Sequence, residues 1–300
     1  MTTRPLDRLL ERSSLRRFAD RDIEPGVLDQ VLEAGVRSAS AGNLQPWSAI
    51  LVRDPDTRNR LASMCFQEFM ADAPLHLLFC LDMHRNEVLA RAGAAPYTAP
   101  SSFRHFWVSF QDVVIAAQSM CTAADMLGLG SVYIGTIMES PSEVREMFSL
   151  PSGVFPVVLV CMGYPREGTE RKAARKFSRR FMIHEEKYSE PDPDDLWADY
   201  QEREAHRLTP IGEKTELVFR TACANCVDEA FAEACMARAR GQGGFNEAQR
   251  RFGLHYRADG MPCGNLDFVD AMREAGMRFF ERWEREDLVM SMQESGEEAD

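Results

Sequence analysis

Apolar residues recur along this chain at spacings that predict its elements before any other feature is considered. Leu6, Leu9 and Leu10 share one face of a helix over Pro5–Arg12. Val27, Leu28, Val31 and Leu32 predict a second helix that opens at Pro25, a good first-turn residue, and runs to about Arg37. WSAILV at 47–52 predicts a strand, residues 56–70 a helix, and HLLFCLD at 76–82 a buried strand. Residues 86–102, rich in Ala, Gly and Pro, predict a mobile loop or lid. A long, largely apolar helix follows over 104–127, stopped by Gly128 and Gly130. SVYIGT at 131–136 predicts a strand, 141–148 a helix, and FPVVLVCMGYP at 155–165 a core strand. Strands interleaved with this much helix imply an α+β layered fold.

Beyond the last strand the pattern changes. A basic run, RKAARKFSRR at 171–180, precedes SEPDPDD at 189–195, an acidic proline-bearing linker. Strand signals then stop. Residues 213–240 and 266–289 predict helices, 244–268 shows no clear period, and the terminal ESGEEAD predicts a frayed end. The boundaries drawn from this are a first domain over 1–190 and a helical extension of open role over 196–300.

Composition narrows the function classes. The 300 residues carry a formal net charge of −12, which argues against nucleic acid or an anionic membrane as partner, although a local basic patch still suits a phosphate. No apolar run reaches the 18–20 or so residues needed to span a bilayer. The first residues hold arginines but no apolar signal core, so the expectation is a cytoplasmic protein. Its eight scattered cysteines are then most simply reduced thiols, with no metal expected.

Candidate chemistry lies in four short stretches. ERSSLRRF places Arg12, Ser14 and Arg16 within five residues, a compact anion site or an ordinary solvated helix end. SASAGNLQPW, just before the first strand, offers Ser40, Asn43 and Gln45 as donors and acceptors around a permissive Gly42, or is a plain connecting loop. GLGSVYIGT brackets a strand with glycines, and the basic run supplies cations or a solvated face. In this order and spacing, with FPVVLVCMGYP and HEEKY, these segments resemble the nitroreductase family of flavoenzymes over residues 4–188.

The resemblance implies an α+β sandwich with a mainly antiparallel central sheet flanked by helices. It implies FMN held noncovalently at the interface of an intertwined homodimer. Hydride would pass from NADH or NADPH to flavin N5 and then, in a ping-pong cycle, to a small planar electron-poor acceptor such as a nitroaromatic, quinone or activated alkene. Carried over by position, Arg12, Ser14 and Arg16 hold the phosphate and ribityl chain. Ser40 and Asn43 meet the pyrimidine edge, with Gln45 nearby. Ile134, Gly135 and Thr136 line the ring, with a backbone N–H of Gly135 or Thr136 aimed at N5. Lys176 and Arg179 or Arg180 return to the phosphate. No side chain need act as catalytic acid or base. Two departures stand out. Gly135 occupies a place where many members carry Glu, which favours backbone contacts, and the segment before HEEKY is short. Relatives of the family also dehalogenate reductively or consume their own flavin to make dimethylbenzimidazole, and a non-catalytic flavin-binding sensor is a further alternative. No G-x-G-x-x-G is present to choose between NADH and NADPH.

Three further features stay open. His105, at the start of the long helix beside the lid, is a substrate candidate or a surface histidine. His255, Tyr256 and Arg257 cover a site or merely pack a connection. Cys223-Ala-Asn-Cys226, with Cys235 and Cys263 downstream, suggests metal, redox or packed thiols. If 213–240 is one helix, Cys226 and Cys235 lie roughly 13 Å apart along its axis on opposite faces, too far to share an ion.

Overall fold

Strands β2 (Leu75–Asp82) and β4 (Val154–Gly163) are apolar at nearly every position, and nearly every residue in them is buried. Such runs suit strands covered on both faces, and the two pair antiparallel at the centre of a four-stranded sheet. A computed structural model describes residues 5–280 of the chain. The edge strands are β1 (Trp47–Val52), paired to β2 from Trp47↔Leu81 to Val52↔His76, and β3 (Gly130–Ile134), paired to β4. The order is β1-β2-β4-β3, antiparallel throughout.

One face of the sheet is covered by α5 (Phe103–Met126) and α2 (Pro25–Val36). Val113, Ala116, Ala117, Met120, Cys121 and Ala124 form the buried stripe of α5, at the spacing of a helix that meets a core along one side. The other face is covered by α3 (Pro55–Met64), a tight turn over Glu68–Asp72, and α6 (Pro141–Met147), around Leu61, Met70, Ile137 and Val144. This three-layer α+β arrangement agrees with the expected architecture. α1 (Pro5–Leu10) precedes it.

The chain divides into two compact units. The first holds residues up to Ala173 and from Phe268 on; the second is Ala174–Asp267. In the first, the Phe268 ring meets Phe155 edge-on at 5.5 Å, and Gly153 N–H donates to Ala275 O.

Several sequence expectations need correction. The helix expected over 56–70 stops at Met64; Phe66 has φ +53° and the Glu68–Asp72 turn follows. Half of the supposed lid is helical, as α4 (His84–Ala92), with a second turn at Ala99–Ser101. Strands do not stop at β4, because β5 (Leu208–Thr209) and β6 (Phe245–Asn246) pair in the second unit. The helix expected over 213–240 breaks into α8 (Glu213–Cys226) and α9 (Glu229–Gly241). Asp228 sits between them with extended backbone, and its carboxylate accepts the Phe231 N–H as an N-cap. The second unit also holds α7 (Pro193–Arg203) and the helical turn α10 (Glu247–Gln249), capped by Asn246. α11 (Asn265–Glu274) is shorter than the expected 266–289 helix, whose last nine residues and the ESGEEAD end lie outside the described residues.

Candidate functional site

The arginine-rich stretch after α1 is locked to β3. Leu15 N–H donates to Ser131 O at 3.0 Å, and Leu15 and Phe18 are buried while Ser14 and Arg16 face outward. The close approach depends on Gly130, where a Cβ would stand 2.6 Å from a Leu15 methyl. Arg12 reaches the end of α5. Its Nε lies 3.8 Å from Asp125 Oδ2, and its guanidinium lies 5.9 Å from the Tyr133 ring centre.

Asp125 is buried and serves a second cation, Arg171, which also donates to Leu129 O and Ser13 O. Two guanidiniums thus share one carboxylate and leave the cluster net positive. Arg12 Nε and Nη2 are buried and have no hydrogen-bond acceptor among the described residues. Burial pushes the neighbouring Cys121 thiol and Tyr133 phenol up, so neither supplies an anion to Arg12 at neutral pH. Unfilled donors beside surplus positive charge suit an anionic oxygen. Arg171 had no separate signal in the sequence; it heads a run whose later residues were expected at the phosphate.

β3 delivers the next group. Gly135 is exposed, and nothing lies within 4 Å of where its Cβ would stand. Thr136 Oγ1 accepts from Gln67 Nε2 at 2.9 Å. Arg16 lies 5.9 Å from the ring centre of Phe69, two residues beyond Gln67. Arg12 thus meets β3 at Tyr133, Gln67 meets Thr136 just past the strand, and Arg16 lies over Phe69. Gln67 carried no sequence signal, because its partner lies 69 residues away. Ile134 is buried in the core, so only its backbone is offered here.

The SASAGNLQPW loop is fixed elsewhere. Ser40 Oγ donates to Asp112 Oδ2 at 2.7 Å and accepts the Gln45 N–H at 2.8 Å, while Ala41 N–H donates to the same carboxylate. Asn86 and Arg85 donate to the carbonyls of Leu44 and Gln45, and Asp82 N–H to that of Pro46. Gly42, Asn43 and Gln45 all adopt positive φ, which leaves the Asn43 side chain exposed. Gln45 and Arg85 line a groove with Trp47 and Ser48. Ser40 is thus an internal fastener of the loop. Its anchor, Asp112, and that of Arg12, Asp125, are thirteen positions apart on α5, or about 20 Å along the axis.

The remaining expected residues are dispersed. Lys176, Arg179 and Arg180 belong to the second unit and are exposed. Arg180 pairs with Asp195 at 3.3 Å and stacks on Phe181. Arg175 and Ser178 in the same run are tied to Glu202 and Asp199 of α7. His105 is exposed, with Nδ1 2.9 Å from the Ser102 hydroxyl that caps α5. Among the described residues no three His, Cys, Asp or Glu side chains are arranged to hold a metal ion, and no helix is long and apolar enough to cross a membrane.

A helix-covered antiparallel sheet with a cationic cradle at one strand end defines a layered α+β protein suited to an anionic ligand. The chain belongs to the nitroreductase family, whose model matches residues 9–164. It is 28% identical over 202 residues to the NADPH-flavin oxidoreductase of Vibrio harveyi, covering 67% of this chain and 81% of that one. It is also 28% identical over 186 residues to an FMN reductase [NAD(P)H] of Bacillus subtilis, covering 61% and 74%. Among solved structures, B. megaterium NfrA2 shares the fold with a TM-score of 0.69 at 23% identity, over 92% of this chain and 98% of that chain. The V. harveyi NADPH:FMN oxidoreductase complexed with NAD+ shares it with a TM-score of 0.68 at 22% identity, over 89% and 97%.

Proposed function

We propose that this chain is an FMN-dependent NAD(P)H oxidoreductase. The observation that carries the reading is Arg12, whose buried Nε and Nη2 donors lack acceptors beside a net-positive cluster at the strand end. A phosphate dianion supplies the missing acceptors, and Arg16 adds a second guanidinium. FMN, when bound, supplies hydride acceptance from NADH or NADPH and delivery to a second molecule. Gly135 leaves its backbone open to a flat ring, and Gln67 orients the Thr136 hydroxyl beside it. Asn43 reads the polar edge of the ring from a loop whose carbonyls are already taken. Donors at that edge stabilise the charge that reduction places there.

The acceptor in this reading is a small, planar, electron-poor molecule, because a ring face approached over glycine and loop backbone admits flat partners. The FMN-binding region spans residues 1–190 and residues 196–300 extend it. The enzyme works as a cytoplasmic homodimer. The 20 Å or so between the two anchor points on α5 supports a shared site, in which the Asn43 loop of a second copy meets the Arg12 cluster of the first. Steady-state rates with NADPH or NADH against a quinone or nitroaromatic test the cycle. Parallel double-reciprocal lines are expected, and intersecting lines would contradict the two half-reactions.

A further inference from the structure

The break between α8 and α9 changes the meaning of four cysteines in the second unit. On one continuous helix Cys235 points away from Cys226. Instead α9 folds back on α8, and Cys223 and Cys235 join the same apolar cluster with Phe219, Met236 and Phe245. The two residues are thus neighbours in one cluster, and Cys226 stands one turn beyond Cys223 on the same helix. Asn225 donates to Asp259 at 3.0 Å, and the Cys263 thiol donates to the Asp259 carbonyl at 3.8 Å. The Asp259 segment thus ties Cys263 to the end of α8. Cys223 is buried, Cys235 is half-buried, and Cys226 and Cys263 are exposed. The other four cysteines, Cys65, Cys80, Cys121 and Cys161, are all buried in the first unit.

We propose that Cys223, Cys226 and Cys235 form a thiol–disulfide exchange centre whose oxidised form is a Cys223–Cys235 disulfide across the hairpin. The inference stands apart from the flavin reading. Cys226, the accessible thiol, attacks an incoming disulfide borne by a small molecule or a protein, and the first leaving thiol departs. Cys223 then attacks the Cys226 sulfur and expels the second. Cys235 finally attacks Cys223, returning Cys226 to the thiol and leaving the buried pair bonded. One S–S bond breaks and one forms. Two cysteine thiols lose two protons and two electrons, and the incoming disulfide leaves as two thiols. Burial, together with the neighbouring thiols, pushes the Cys223 thiol up to about 12, so entry falls to the exposed Cys226. With the thiolate disfavoured at Cys223, the disulfide form is the resting one under oxidising conditions.

The test equilibrates the full-length protein with glutathione and oxidised glutathione at several ratios, then alkylates free thiols and maps the peptides by mass spectrometry. The expected result is a linked Cys223–Cys235 peptide pair that appears with oxidation and is lost with reduction, while Cys65, Cys80, Cys121 and Cys161 stay alkylated. Cys226→Ser is expected to form the same pair about tenfold more slowly, because the accessible nucleophile is gone. Mapping the unsubstituted chain decides the matter even if a variant misfolds. Absence of the linked pair at every ratio overturns the proposal. So does a stoichiometric metal ion in the purified protein that shields these thiols from alkylation.

Discussion

Arg12 carries more of this account than any other side chain, because its donors are buried before any ligand arrives. Burial without acceptors costs stability that a bound phosphate returns. Arg12→Ala is expected to raise the Kd for FMN roughly tenfold to a hundredfold, about 1.5–3 kcal/mol, read by quenching of flavin fluorescence. Arg12→Lys restores charge but not the forked donor geometry, and recovers only part of that loss. Asn43 makes the opposite case, since its side chain is exposed and nothing in the fold leans on it. Asn43→Ala is expected to lower Tm only slightly, through the poorer fit of Ala to the positive φ, while weakening FMN binding or shifting the flavin midpoint potential. If neither moves, the loop has been misassigned. Both positions were visible in the sequence as polar groups in short, oddly composed stretches. Their fasteners were not: Asp112 holds the Asn43 loop through Ser40 across 72 positions, Asp125 at the far end of α5 pairs with Arg12, and no local pattern announces such pairings.

At the scale of elements, period and burial made the sheet legible. β1 coincides with WSAILV, and the long helix with its expected span to within a residue at either end. What stayed hidden was the break after Cys226. Ala222, Val227, Ala230, Phe231 and Ala234 keep helical spacing straight across it, and Asp228 alone marks the new N-terminus. β2 holds a further consequence. His76 is fully buried on that strand with Nε2 2.8 Å from Met70 O, and burial holds its pKa down at about 4, against an ordinary 6.5. The unfolded chain takes up this proton first, so the stability due to a neutral His76 is complete above the unfolded value. It is lost as pH falls from 6.5 towards 4. Urea unfolding at about pH 7 and about pH 4.5 is expected to differ by roughly 2–3 kcal/mol from this group alone. A non-titrating His76→Asn variant loses that part of the slope; an unchanged slope would contradict the assignment.

For the whole molecule, the proposed shared site gives each chain halves of two different sites. Mixing Arg12→Ala and Asn43→Ala subunits tests this directly. In a shared-site dimer one of the two sites of each mixed dimer receives both wild-type residues, so FMN affinity is regained at half the sites of the mixed dimers. If each chain builds its site alone, no site is restored. The second unit was legible only as helical, and its hairpin and thiol cluster emerged from the fold. In the proposed function the Arg12 cluster, Gly135–Thr136 and the Asn43 loop make an FMN site for NAD(P)H oxidation. Its most direct measurement titrates the purified full-length protein with FMN and then adds NADPH or NADH without oxygen. Saturable binding of one FMN per chain is expected, followed by rapid bleaching of the flavin band and its return on adding a quinone. A protein that takes up no FMN, or whose bound flavin neither nucleotide bleaches, would contradict that function.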